Sequence, residues 1–151
     1  MRQSLLYVAA FIAVVLAFSG CSSIQRIISS GDSELIYERG IIMYEAGKWQ
    51  KAVALLEHCE PYFKGTLKED SIAFFGARSK FKHRDYHDAS TGFDEFRRRF
   101  GRSIFIEDAE GMYAMCFYYL SPAPSRDQTM TSKAIIAINE FISRYPESDK
   151  V

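Results

Sequence analysis

Gly40-Ile41-Ile42-Met43-Tyr44-Glu45-Ala46-Gly47-Lys48-Trp49-Gln50-Lys51-Ala52-Val53-Ala54-Leu55-Leu56-Glu57-His58-Cys59 decides the fold. In its second half Ala52, Leu55, Leu56 and Cys59 fall at i, i+3, i+4 and i+7, which makes one apolar face of a helix. In its first half a small residue, Gly40, precedes an aromatic, Tyr44, by one helical turn, and Gly47 then breaks the helix. The stretch therefore reads as helix, turn, helix.

The same pattern returns. Gly40, Ala77 and Ala114 are spaced by 37 residues, and each is followed four positions later by an aromatic, Tyr44, Phe81 or Tyr118. Trp49 and Tyr86 keep that spacing, as do Ala52 and Ala89, Leu56 and Phe93, Cys59 and Phe96, and Phe63 and Phe100. A fixed period of this length is the signature of a repeat architecture. In the third copy Ala134, Ile138, Phe141 and Tyr145 take the places of Ala89, Phe93, Phe96 and Phe100. Eight extra residues, Ser121 to Gln128, contain Pro122 and Pro124 and read as a loop. Apolar faces run along Ala89, Phe93 and Phe96 and along Ala134, Ile135, Ile138 and Phe141. The periodicity predicts helices over 33–46, 49–60, 67–82, 86–99, 104–120 and 129–144, in repeats 33–66, 67–103 and 104–146. One hairpin cannot bury both faces, so an all-α solenoid of about three stacked hairpins is expected over 33–151.

The first twenty residues differ. Leu5 to Phe18 is an unbroken apolar run of 14 residues behind a single charge, Arg2, and is too short to span a bilayer. It reads as a secretion signal over 1–20. Its end, Phe18-Ser19-Gly20-Cys21, resembles the lipobox of bacterial lipoproteins. That resemblance implies that Cys21 is acylated and, after cleavage before it, becomes the anchored amino terminus, with diacylglycerol and palmitate-type chains. Ser22 after the cysteine implies, by the same resemblance, sorting to the outer membrane, facing the periplasm. The Ser-rich stretch 21–32 is expected to be a lipidated tether.

With 19 basic and 19 acidic side chains the chain carries no net charge, which gives no reason to propose nucleic acid as a partner. No Gly-rich phosphate loop, Gly-x-Ser-x-Gly or His-Glu-x-x-His occurs, so the residues do not point to an enzyme, and no cofactor is implied. His83 and His87 flank an inter-helix turn and do not share a face, which argues against a metal site. Cys59 and Cys116 sit on apolar faces of repeats that are not neighbours and read as buried thiols, a disulfide between them, which an oxidising periplasm would permit, being the alternative. Arg97, Arg98, Arg99 and Arg102 form the densest charge run, which reads as a solvated helix end or as a contact for an acidic partner.

The small–aromatic–small pattern resembles the tetratricopeptide repeat, and Gly47 to Ala52 is its best single match. A lipobox followed by repeats of this length, the last ending Tyr145-Pro146, resembles the BamD-type outer-membrane assembly lipoproteins. This resemblance implies a scaffold of the β-barrel assembly machinery that receives unfolded outer-membrane β-barrel proteins and meets a BamA-type barrel insertase and other assembly subunits. It also implies repeats beyond those present, so a stack cut short at Val151 is expected. In the tetratricopeptide register the concave stripe is Tyr37, Ile41 and Tyr44, then Phe74, Arg78 and Phe81, then Met115 and Tyr118. Aromatics with an arginine suit an extended peptide rich in aromatic residues. A repeat lipoprotein of another envelope system, serving pilus or secretin assembly or cell-wall coordination, is the alternative.

Overall fold

A computed structural model describes residues 24–149, and every regular element among them is helical. Residues 24–28 form a short helical stretch, α1. Six longer helices follow: α2 (Ser33–Glu45), α3 (Trp49–Cys59), α4 (Glu69–Lys82), α5 (Tyr86–Arg99), α6 (Ile106–Leu120) and α7 (Thr129–Arg144). A 3₁₀ turn, Glu60–Phe63, extends α3. The helix limits lie within two residues of those the periodicity predicts. The signal segment 1–20 and Cys21 lie outside the described residues.

Local chemistry sets the helix ends. Asp32 caps α2 by accepting the backbone N–H of Leu35 at 3.1 Å, satisfying one of the orphan donors of the first turn. At the other end Gly47 has φ of +70°, its N–H donates to the Tyr44 carbonyl, and the Lys48 N–H donates to Met43. This left-handed closure recurs 37 residues later: Arg84, at φ of +68°, donates to Phe81, and Asp85 donates to Lys80. A side chain at a left-handed position is strained, so Arg84 holds at some cost the shape that glycine adopts freely.

Each helix from α2 on packs against the next in the chain, and α4 also meets α2 and α6. Consecutive helices thus form antiparallel hairpins, α2/α3, α4/α5 and α6/α7, stacked with their first helices on one side. Ala52, Leu55, Leu56 and Cys59 are all fully buried, as the i, i+3, i+4, i+7 spacing requires. Their cluster includes Ile36, Phe63 and, from the next hairpin, Ile72. The second hairpin gathers Phe74, Ala77, Ala89, Phe93 and Phe96, and it is completed by Ala109 and Cys116 of α6. The third holds Ala114, Phe117, Ala134 and Ala137. Ile135, expected on that apolar face, is instead 57% exposed. It lies one residue past Ala134, about 100° around the helix, and Ala137 fills the buried place. Cys59 and Cys116 are buried free thiols, their pKa values pushed up by burial to about 11 and about 12.

The stretch before α2 is not wholly a tether. Ile24, Ile27 and Ile28 repeat at i, i+3 and i+4 and pack against the first cluster, so α1 is docked on the domain. The serine-rich composition of that stretch by itself reads as a linker, whereas the spacing of its isoleucines is helical.

Replacing Arg84 with Gly removes the left-handed strain, while the unfolded chain gains freedom. The variant is expected to be more stable by about 0.5–1 kcal/mol in urea denaturation.

Candidate functional site

The side lined by α2, α4 and α6 carries the predicted stripe. On α2, the Tyr37 ring lies 5.8 Å from that of Phe63 and its hydroxyl is 3.3 Å from Ser71 Oγ, so it is half-buried at the seam between hairpins. Ile41 packs against the first core cluster. Tyr44 sits between Trp49 at 5.4 Å and Phe75 at 5.0 Å, both edge to face. Its pKa is raised by burial, an effect partly opposed by the charge of Arg78. The Arg78 guanidinium lies 5.9 Å from the Tyr44 ring centre and 5.6 Å from that of Phe74. Its Nε is buried with no hydrogen-bond partner among the described residues. On α6, Met115 and Tyr118 are 37% and 57% exposed.

One member of the stripe, Phe74, is not open. Phe74 is completely buried, stacked on Phe105 at 4.6 Å and ringed by Phe93 and Phe96, so it is a core residue and not a groove residue. The reason lies in the register. Positions 74 and 111 face the second helix of their own hairpin: Phe74 meets Phe93 and Phe96, and a Cβ at Gly111 would lie 3.3 Å from Phe141. Phe81 is half-buried between hairpins, edge to face with Tyr86 at 5.3 Å and with Tyr119 at 5.8 Å. Tyr44, Arg78, Phe81, Met115 and Tyr118 remain as the accessible or half-accessible part of the stripe, with Tyr37 and Ile41 at its first-hairpin margin.

The structure adds residues that the stripe did not include. Phe75 lies beside Tyr44, and Tyr119, half exposed, stacks on Tyr86 at 4.7 Å. Between α6 and α7 is a largely apolar hollow of ≈ 420 Å³, lined by Phe81, Gly111, Met112, Ala114, Met115, Ile138, Phe141 and Ile142, with Asp108 at its edge. Position by position, this is the place that α6 fills on the preceding hairpin, where Ala109 and Cys116 close the cluster around Phe74 and Phe93. Exposed Ile142 on α7 was the available signal for it.

The arginine run is used internally. Arg97 lies 4.1 Å over Tyr113, Arg98 pairs with Asp94 at 2.7 Å, and Arg99 is bonded to Glu95 of its own helix and to Glu69 and Glu60, the last two tying α5 to α4 and to the 3₁₀ turn. Arg144, at the matching place on α7, pairs with the buried carboxylate of Glu110. His83 faces Gln50 at 2.8 Å and not His87. No three potential ligands cluster to hold a metal among the described residues. None of the described helices is long and apolar enough to cross a membrane.

Stacked α-hairpins that leave an aromatic inner side half open define a helical-repeat protein of tetratricopeptide-like build. Comparison with known families takes this further: residues 30–149 match YfiO, described as an outer membrane lipoprotein. The chain belongs to this family. It is also similar to the outer membrane protein assembly factor BamD of Helicobacter pylori (strain ATCC 700392 / 26695), with 32% identity over 71 residues. That match covers 47% of this chain and 32% of the relative, so the aligned part spans about a third of that protein's length.

Because Phe74 is core, Phe74→Ala is expected to lower stability by about 3–5 kcal/mol. Met115→Ala, at the open surface, is expected to stay within about 1 kcal/mol of the parent. Urea titration of both variants checks the assignment.

Proposed function

We propose that this chain is a lipid-anchored scaffold of outer-membrane β-barrel assembly, acting by binding and positioning and not by catalysis. Cys21 carries the acyl chains, the domain faces the periplasm, and the inner side holds segments of unfolded outer-membrane proteins beside a BamA-type insertase. Membership of an outer membrane lipoprotein family and likeness to a BamD support this reading. The observation that carries the client-binding step is the grouping of Tyr44, Arg78, Met115 and Tyr118 along α2, α4 and α6. It combines the exposed thioether of Met115 and ring of Tyr118 with the half-buried ring of Tyr44 and guanidinium of Arg78. Barrel strands alternate apolar and polar residues and carry aromatic girdles, so their side chains can meet rings while a carboxylate or carbonyl meets the arginine. Tethering such a surface beside the insertase raises the local concentration of client.

The test is photo-crosslinking in cells from a probe placed at Met115 or Tyr118, with Glu140 on α7 as the control. Unfolded barrel precursors are expected in the adducts from the first two positions and not from the third, with a several-fold loss when Arg78→Glu is added. Adducts with a secretin or pilus subunit in place of barrel precursors would move the protein to another envelope system.

A further inference from the structure

Leu67 and Ile104 are the most exposed aliphatic side chains of the domain, at 100% and 87%. They are 37 residues apart, so they hold the same place in successive repeats: the loop just before the first helix of a hairpin. Neither touches a core cluster, and neither is needed to close a hairpin. Because the helices alternate up and down, the loops preceding α2, α4 and α6 all lie at one edge of the stack. Tyr62, 66% exposed, ends the second helix of the first hairpin at this edge. Lys64 and Arg102 stand in the same loops, exposed and without an ion pair among the described residues. Arg26 of α1 is likewise exposed.

The chain before the domain arrives at this edge too. α1 joins the first turn of α2 through residues 29–32, and its isoleucines are docked on the first cluster. Only three residue steps separate Cys21 from Ile24, a reach of roughly 11 Å at full extension. If Cys21 is acylated, a condition taken from the function proposed above, α1 must stay that close to the leaflet.

We propose that this edge is a second, non-covalent membrane contact: Leu67, Ile104 and Tyr62 enter the headgroup layer while Lys64 and Arg102 meet anionic headgroups. Aliphatic tips among cations, with a tyrosine at the level of the headgroups, match what an interfacial surface requires. The solenoid then stands with its loop edge on the bilayer, not swinging on a tether. The inner side opens sideways along the leaflet. The opposite edge, with the Gly47 and Arg84 turns, points away from the membrane.

The test uses the full acylated chain in vesicles of phosphatidylethanolamine and phosphatidylglycerol. Single variants Leu67→Cys, Ile104→Cys and, at the opposite edge, Lys82→Cys carry an environment-sensitive fluorophore, while Cys59 and Cys116 are buried and spared. A blue shift and several-fold stronger quenching by lipid-borne quenchers are expected at 67 and 104 compared with 82. Adding Lys64→Glu and Arg102→Glu is expected to return both probes toward the aqueous signal. A chain that floats with the vesicles yet shows equal water exposure at all three positions overturns the edge contact alone. A chain that mass spectrometry finds unmodified at Cys21, and that does not float, overturns both the anchor and the contact that rests on it.

Discussion

Where the two helices of a hairpin cross there is room for little more than one large side chain, and the three hairpins divide that room differently. In the first, Gly40 gives way to Leu55 and Leu56; a Cβ there would lie 2.8 Å from Leu56 Cδ2. In the second, Ala77 faces Gly92, and a Cβ on Gly92 would come within 3.0 Å of that of Ala77. In the third, Ala114 shares a cluster with Ala134 and Ala137. Protein interiors tolerate neither voids nor overlap, so the summed volume is held while its distribution between helices varies. The close approach brings the remaining apolar faces together, and stacking follows from it.

Stacking has a directional consequence. Each hairpin closes its core with residues from the first helix of the next, Ile72 in one case and Ala109 with Cys116 in the other. The same surface on the third hairpin is the apolar hollow between α6 and α7. The side formed by α2, α4 and α6 is closed less completely, because only the first helices line it. That leaves Tyr44, Arg78, Met115 and Tyr118 within reach of another chain, and the packing logic of the repeat supplies the surface on which the proposed function depends.

The repeat and the helix limits were legible because a 37-residue period reports on many positions at once and the hairpin core fixes their spacing. The stripe was less legible. Periodicity places Phe74 on the same line as Arg78 and Phe81, but it does not say how far that line is rotated toward the partner helix. Phe74 is turned inward, and Phe75, its neighbour, meets Tyr44 instead. The role of α1 was hidden by serines around three isoleucines whose spacing already carried the helical signal. The arginine run illustrates the opposite difficulty: its charges were conspicuous, but their partners Glu60 and Glu69 lie in other helices and could not be paired from spacing alone.

Coupling between the two sides of the first crossing reports whether the helices meet at Gly40. A double-mutant cycle of Gly40→Ala and Leu56→Ala, read by urea denaturation, isolates it. If the close approach at Gly40 limits the hairpin, Leu56→Ala relieves the overlap that Gly40→Ala creates, and the two effects depart from additivity by about 1 kcal/mol or more. Additive effects, within about 0.3–0.5 kcal/mol, would mean that Gly40 and Leu56 do not touch and that the close approach is not what sets the hairpin.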